Sequence, residues 1–164
     1  MEINTFEDLE LSKEISRALE KLELTTPTSV QKQAIPVMMD GFNLIAKAPT
    51  GTGKTFAYGI PILEYLHMDT SFVQDLILCP TRELALQICT ELKSLGRYIH
   101  GLKVCPIIGG QRMDKQIKDL ADHPQIVVAT PGRLLDHVNR RNIDISSIYS
   151  VILDEADEML NMGF

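Results

Sequence analysis

The chain has 164 residues, 45% apolar and 23% charged, which fits one globular domain and excludes a disordered or fibrous chain. No run approaches the roughly 18 uninterrupted apolar residues of a membrane span, and the start, Met1 to Asp8, lacks the basic residues and apolar core of a secretion signal. The net charge of −6 argues at first sight against nucleic acid as a partner.

That charge is unevenly spread. Residues 1–92 hold 7 basic and 13 acidic side chains, residues 93–141 hold 9 and 4, and residues 142–164 hold none and 5. A basic middle between acidic ends is compatible with one basic face on an acidic domain. Cys79, Cys89 and Cys105 are odd in number and show neither C-x-x-C nor zinc-ligand spacing. They read as reduced thiols in a cytoplasmic protein.

Ser12 to Glu23 reads as a helix with an N-cap serine and Ile15, Ala18, Leu19 and Leu22 on one face. Thr25 to Thr28 breaks it, and a second helical stretch begins near Ser29, with an interruption expected at Pro36. From residue 44 the pattern becomes strand, loop, helix, repeated. The predicted strands are Leu44–Ala46, Leu76–Cys79, Val104–Ile108, Ile126–Ala129 and Ser150–Leu153. Helices are predicted over about 53–65, 83–98 and 133–139, with a polar one after Gly110. Five all-apolar strands alternating with helices predict an α/β fold, an open, mostly parallel sheet covered by helices on both faces. Ligands then gather at the carboxyl ends of the strands.

Ala48-Pro49-Thr50-Gly51-Thr52-Gly53-Lys54-Thr55 follows a strand and opens a helix, the context a phosphate-binding loop requires. Gly51 and Gly53 let successive N–H groups turn inward as an anion nest, and the helix N-terminus adds its dipole. Lys54 is placed to reach the β- and γ-phosphates and the Thr55 hydroxyl to join Mg²⁺. Ala48 stands where the general motif has glycine. Asp154 and Glu155 follow the last apolar strand, where phosphoryl transfer needs one carboxylate for the metal and another to orient or deprotonate water. Together the two motifs predict a nucleoside triphosphatase.

Asp154-Glu155-Ala156-Asp157 spells D-E-A-D, and from Phe6 to Phe164 the chain resembles the first RecA-like domain of the DEAD-box RNA helicases. Pro80-Thr81-Arg82-Glu83-Leu84-Ala85 is similar to the family's P-T-R-E-L-A, Gly109-Gly110 to its double glycine, and Thr130-Pro131-Gly132-Arg133 to its T-P-G-R. Leu160-Asn161-Met162-Gly163-Phe164 resembles the segment after D-E-A-D. The ordered set is far more specific than any one motif.

The resemblance implies ATP and Mg²⁺ as cofactors and RNA as a sequence-independent, backbone-contacted partner. Residues 1–40 become an adenine-recognition segment and 41–164 a partial RecA-like domain. Thr26-Pro27-Thr28-Ser29-Val30-Gln31 looks like the adenine motif, with Gln31 on the base edge and Phe6 upstream, either against the base or stapling the N-terminal helix. Leu24 stands where an aromatic or another bulky apolar residue is usual, and Ser29 replaces a common proline. Lys54, Thr55, Asp154, Glu155 and Asp157 take the catalytic and coupling roles, with Thr55 and Asp154 at the metal. Thr81, Arg82, Gly110, Thr130 and Arg133 face RNA through hydroxyl, guanidinium and N–H groups suited to phosphate and 2′-hydroxyl oxygens.

The family's Ser-Ala-Thr strand and second RecA-like domain are not in these residues. The resemblance therefore implies weak nucleotide binding and almost no RNA-stimulated turnover by them alone. It also leaves the sheet to close by direct pairing of 44–46 with 150–153, by strand exchange between copies, or as a loose domain. An ATP-gated RNA clamp without useful turnover is the alternative function. His67, His100, His123 and His137 are scattered without ligand spacing, and no metal role is read for them.

Overall fold

The computed structural model describes residues 3–164. It divides into two compact units, one running to Leu66 and including Glu91–His100, the other made of His67–Thr90 and Gly101–Phe164.

In the first unit a short 3₁₀ turn, Phe6–Leu9, precedes helices α1 (Lys13–Lys21), α2 (Ser29–Met39) and α3 (Lys54–Glu64). The Ser12 hydroxyl accepts from the Ile15 N–H, satisfying an otherwise unpaired donor of α1. The Glu64 carboxylate in turn accepts from the Ser12 N–H at 2.8 Å and its hydroxyl at 3.0 Å. The period-3.6 stripe of α1 buries Ile15, Ala18 and Leu19, as its spacing predicts. Thr28 and Gln31 form a reciprocal capping box at the start of α2.

Pro36 does not interrupt α2, contrary to the expectation from sequence: the helix runs through it to Met39. A mid-helix proline costs about 3 kcal/mol. Here α2 packs along α3 and buries Ala34 and Ile35, and that tertiary burial outweighs the lost backbone bond.

The second unit holds a four-stranded sheet of β1 (Asp75–Leu78), β2 (Val104–Ile107), β3 (Ile126–Ala129) and β4 (Ser150–Leu153), all pairs parallel, in the order β2-β3-β1-β4. Three helices belong to it: α5 (Met113–Ala121), α6 (Pro131–Asn139) and α7 (Ala156–Asn161). Helix α4 (Arg82–Leu95) begins in it as well. Leu76, Cys105, Ile107, Val127, Ala129 and Leu134 form its apolar core. Four of the five predicted strands are present to within a residue.

The fifth is not. Leu44, Ile45 and Ala46 belong to no strand, residues 41–47 are all exposed, and Ile45 is fully so. A strand needs a partner for its backbone groups, and β4, which pairs only with β1, is an edge of this sheet. Direct pairing of 44–46 with 150–153 is thereby overturned.

Candidate functional site

In the first unit, the segment from Ala48 to Gly53 is shaped by side chains that bind its carbonyl oxygens. Lys54 Nζ donates to the Ala48 carbonyl at 3.0 Å, and the Thr52 hydroxyl donates to that of Pro49 at 2.7 Å. The Thr28 hydroxyl donates to the Thr52 carbonyl at 2.8 Å, and Gln31 Nε2 to that of Gly53 at 3.1 Å. Because a trans peptide points its N–H opposite its C=O, tying these carbonyls fixes where the amides of Thr50, Gly53 and Lys54 point. Gly53 is at φ +84°, and a Cβ there would overlap the Gln31 amide. Only glycine meets both demands.

Gln31 is buried, and both ends of its amide are engaged, Oε1 accepting from the Thr28 N–H at 2.9 Å. The structure thus places it against the phosphate loop. Phe6 is likewise buried, its N–H donating to the Thr25 carbonyl at 3.1 Å, whereas Leu24 is open to solvent. Beside the loop lies an open cleft of about 470 Å³ lined by Thr28, Ala34, Leu44, Ala46, Lys47 and Thr52, among others.

In the second unit, the register aligns Leu78, Ala129, Leu153 and Ile107 at one edge. Every strand is parallel, so every chain leaves the sheet there, and the motifs that follow the strands emerge together. Thr81 caps α4, its hydroxyl accepting from the Leu84 N–H at 3.2 Å. The Arg82 guanidinium lies against Gly110, which is at φ +77°; a Cβ at that position would fall inside it. Arg133 is held inward, with Nη1 donating to the Gln111 carbonyl at 2.9 Å and to Gln116 Oε1 at 3.3 Å. Thr130 precedes α6, with Pro131 in the first turn, where its missing N–H costs nothing.

Asp154 is buried, and its N–H donates to the Leu78 carbonyl at 2.9 Å, which fixes it at the end of β4. Glu155 is at φ 52°, ψ 48°, the left-handed region that costs an ordinary residue about 1–2 kcal/mol. Strain of this kind persists where the surroundings dictate it and is frequent at working sites. Burial, reinforced by the charges of Asp154 and Glu155, pushes the Cys79 thiol up to about 12, so it stays protonated and inert. Asp157 lies exposed on α7.

The Thr55 hydroxyl and the Asp154 carboxylate are hard oxygen donors of the kind Mg²⁺ takes. Because Mg²⁺ keeps several waters and binds through one or two carboxylates plus phosphate, no cage of acids is needed. Among the described residues no cluster of three His, Cys, Asp or Glu side chains exists to hold a metal by itself. Each of these two donors, one in either unit, is suited by its own chemistry to a metal that arrives with a phosphate ligand.

Sequence reasoning missed Gln116, Asn142 and the role of His137, which meet through folding alone. It also missed the contact of Thr28 with the phosphate loop, although the capping pattern Thr28-x-x-Gln31 was visible.

A parallel α/β sheet whose motif-bearing loops leave its carboxyl edge, with a separate glycine-rich loop opening a helix, defines the class of nucleotide-binding α/β proteins. Within that class, the DEAD/DEAH box helicase family model matches residues 28–164, and the chain belongs to that family. It is 45% identical over 162 residues to the DEAD-box ATP-dependent RNA helicase CshA of Geobacillus kaustophilus, covering 99% of this chain and 34% of that protein. The Bacillus subtilis protein of the same name is 45% identical over 160 residues, covering 98% and 32%. Among solved structures, a DEAD box protein from the hyperthermophile Methanococcus jannaschii superposes with a TM-score of 0.94 at 41% identity, over 99% of this chain and 44% of that one. A hypothetical ATP-dependent RNA helicase from Sulfolobus tokodaii gives 0.86 at 42%, over 94% and 44%. The chain thus spans about a third of the length of these curated relatives. No helix among the described residues is long and apolar enough to cross a membrane.

Proposed function

We propose that these residues form the nucleotide-binding half of an ATP-dependent RNA helicase, binding ATP with Mg²⁺ and the RNA backbone and serving hydrolysis of the β–γ bond. The observation that carries this reading is the glycine-rich loop at the start of α3, four of whose carbonyls are tied by side chains, which supports a role for its amides as an anion nest.

In this reading Lys54 exchanges the Ala48 carbonyl for the β- and γ-phosphate oxygens, a stronger, charge-assisted bond. Gln31 couples the adenine side to the loop, since it already bonds the Gly53 carbonyl. Thr55 and Asp154 would hold Mg²⁺, which supplies neutralisation of the charge carried by the transferring phosphoryl group. Glu155 orients the attacking water and takes its proton. Thr81, Arg82, Gly110 and Thr130 read sugar and phosphate, a mode indifferent to base sequence and weakened by salt. Asp157 links the two activities, and productive turnover awaits a second RecA-like domain, for which the longer relatives have room.

Titration with a fluorescent ATP analogue tests the loop. Lys54→Ala is expected to weaken binding at least about tenfold, the loss of a charge-assisted phosphate contact. Equal affinity of wild type and variant would remove the basis of the reading. In a chain that carries the second domain, Glu155→Gln abolishes hydrolysis. Retained cellular function of that variant would favour an ATP-gated clamp over a helicase.

A further inference from the structure

We propose that Gln116 is a positioning residue for RNA binding. From inside the second unit it locks the Gly109-Gly110 turn to the helix that opens with Pro131-Gly132-Arg133, so that both present one fixed backbone surface. This rests on the RNA-binding reading above.

Gln116 is fully buried on α5. Its Nε2 donates to the Ile108 carbonyl at 2.7 Å, just before the double glycine, and to Gln111 Oε1 at 3.4 Å, just after it. Its Oε1 faces two groups of α6, Arg133 Nη1 at 3.3 Å and His137 Nε2 at 2.9 Å. Arg133 Nη1 also donates to the Gln111 carbonyl at 2.9 Å. Asn142 Nδ2 lies 3.2 Å from the second ring nitrogen of His137.

The orientation of this network follows from what each group can do. A carbonyl oxygen only accepts, so the amide nitrogen of Gln116 must face Ile108. A guanidinium only donates, so the amide oxygen must face Arg133. That same oxygen obliges His137 to carry its proton on Nε2 and to accept at Nδ1 from Asn142. Burial and the neighbouring Arg133 and Arg140 hold His137 below its ordinary pKa, in keeping with the neutral ring that this pattern needs, while Asp136 opposes them. One arrangement satisfies every member, and no buried side-chain polar atom among the described residues lacks a partner.

A fully buried amide and imidazole cost more to place than leucine would. What they secure is a glycine pair that would otherwise sample many conformations. In front of the network the exposed Gly110 and Gly132 and the half-exposed Thr130 offer backbone and hydroxyl groups to solvent. Groups fixed before binding lose less entropy on binding.

The test uses the full chain and single-stranded oligouridylate, with amide exchange at Gly109 and Gly110 and affinity for an ATP analogue as companion readouts. Gln116→Met keeps the side-chain size and removes both hydrogen-bonding ends. It is expected to speed exchange at the two glycines and lower RNA affinity about tenfold, the scale of losing buried hydrogen bonds, with nucleotide affinity unchanged. Gln116→Glu retains the acceptor for Arg133 and His137 and loses the donor to Ile108. It should free the glycines as Met does while keeping Arg133 in place.

Should Gln116→Met not fold, Asn142→Ala, half-exposed and one bond removed, is expected to give a loss of about twofold in the same direction. Wild-type RNA affinity in a folded variant, or parallel loss of RNA and nucleotide affinity, overturns the proposal alone. Failure of the wild-type chain to bind RNA at any salt concentration overturns the RNA reading and the proposal with it.

Discussion

The phosphate loop and the carboxyl edge of the sheet achieve placement by different means. Residues 41–47 lead into the loop without a strand and exposed, and the loop keeps its shape through four side-chain bonds to its own carbonyls. The sheet edge is held from behind by parallel ladders and a buried polar network. A ladder gives an edge the stability of the unit, whereas local side-chain bonds give a loop only their own. The first is a scaffold, and the second is held by local bonds alone.

Amide exchange gives the largest expected contrast. Residues 44–46 should exchange within about tenfold of an unfolded peptide, while Val127 and Val128 approach the global unfolding limit, at least about a thousandfold slower. β4 should divide within itself. The Ser150 and Asp154 N–H groups reach carbonyls of the β1 chain, so Ile152, two residues from each, faces β1 too, and the Val151 and Leu153 amides face the open edge. Slow exchange at Leu44–Ala46 or at Val151 and Leu153 would mean that a partner covers them, a second copy being the first to examine by sedimentation.

The same contrast explains what was legible in the sequence. Strands paired on both sides, such as Ile126–Ala129, declared themselves by continuous apolar runs, and the motifs at their ends came with them. Leu44-Ile45-Ala46 carries an equally apolar pattern and forms no strand, because pattern records burial potential and not the presence of a neighbour. Pro36 was misread for a related reason: its cost is local, and the packing of α2 that outweighs it is not. Gln116 and His137 lie 21 residues apart without a spacing rule and meet only in the folded unit. Gln31 stood out in the sequence through the Thr28-x-x-Gln31 pattern, but its bond to Gly53 required the loop's actual path.

Asp75 sharpens the comparison from the scaffold side. It starts the inner strand β1, is buried, and accepts from the Ser150 hydroxyl, its register partner in β4. Burial raises it from 3.8 to about 6, and the Ser150 bond only partly opposes this. A carboxyl whose folded pKa exceeds its unfolded value binds its proton more tightly when folded, so its contribution weakens as pH rises from about 4 to 6 and stays low above. Asp75→Asn removes that dependence. Relative to wild type the variant should gain on the order of 2 to 3 kcal/mol between pH 4 and pH 7, read by urea unfolding at each pH. Parallel stability curves would show that Asp75 is solvated despite its position.

The smallest effect is expected at the end of β4. Glu155 follows the buried Asp154 at the end of β4 and holds a left-handed backbone that glycine adopts freely. Glu155→Gly should therefore stabilise the folded chain by about 1 kcal/mol, the αL strain relieved less the entropy that glycine adds to the unfolded state. Glu155→Ala, which keeps the strain and removes the carboxylate, separates backbone from side chain: it should leave the melting temperature near wild type while Glu155→Gly raises it. If both variants melt alike, the left-handed turn is not strained, and the carboxylate's position carries no energetic cost. If only the glycine variant gains, a glutamate is kept where glycine would be more stable, which is the pattern expected of a residue retained for its chemistry.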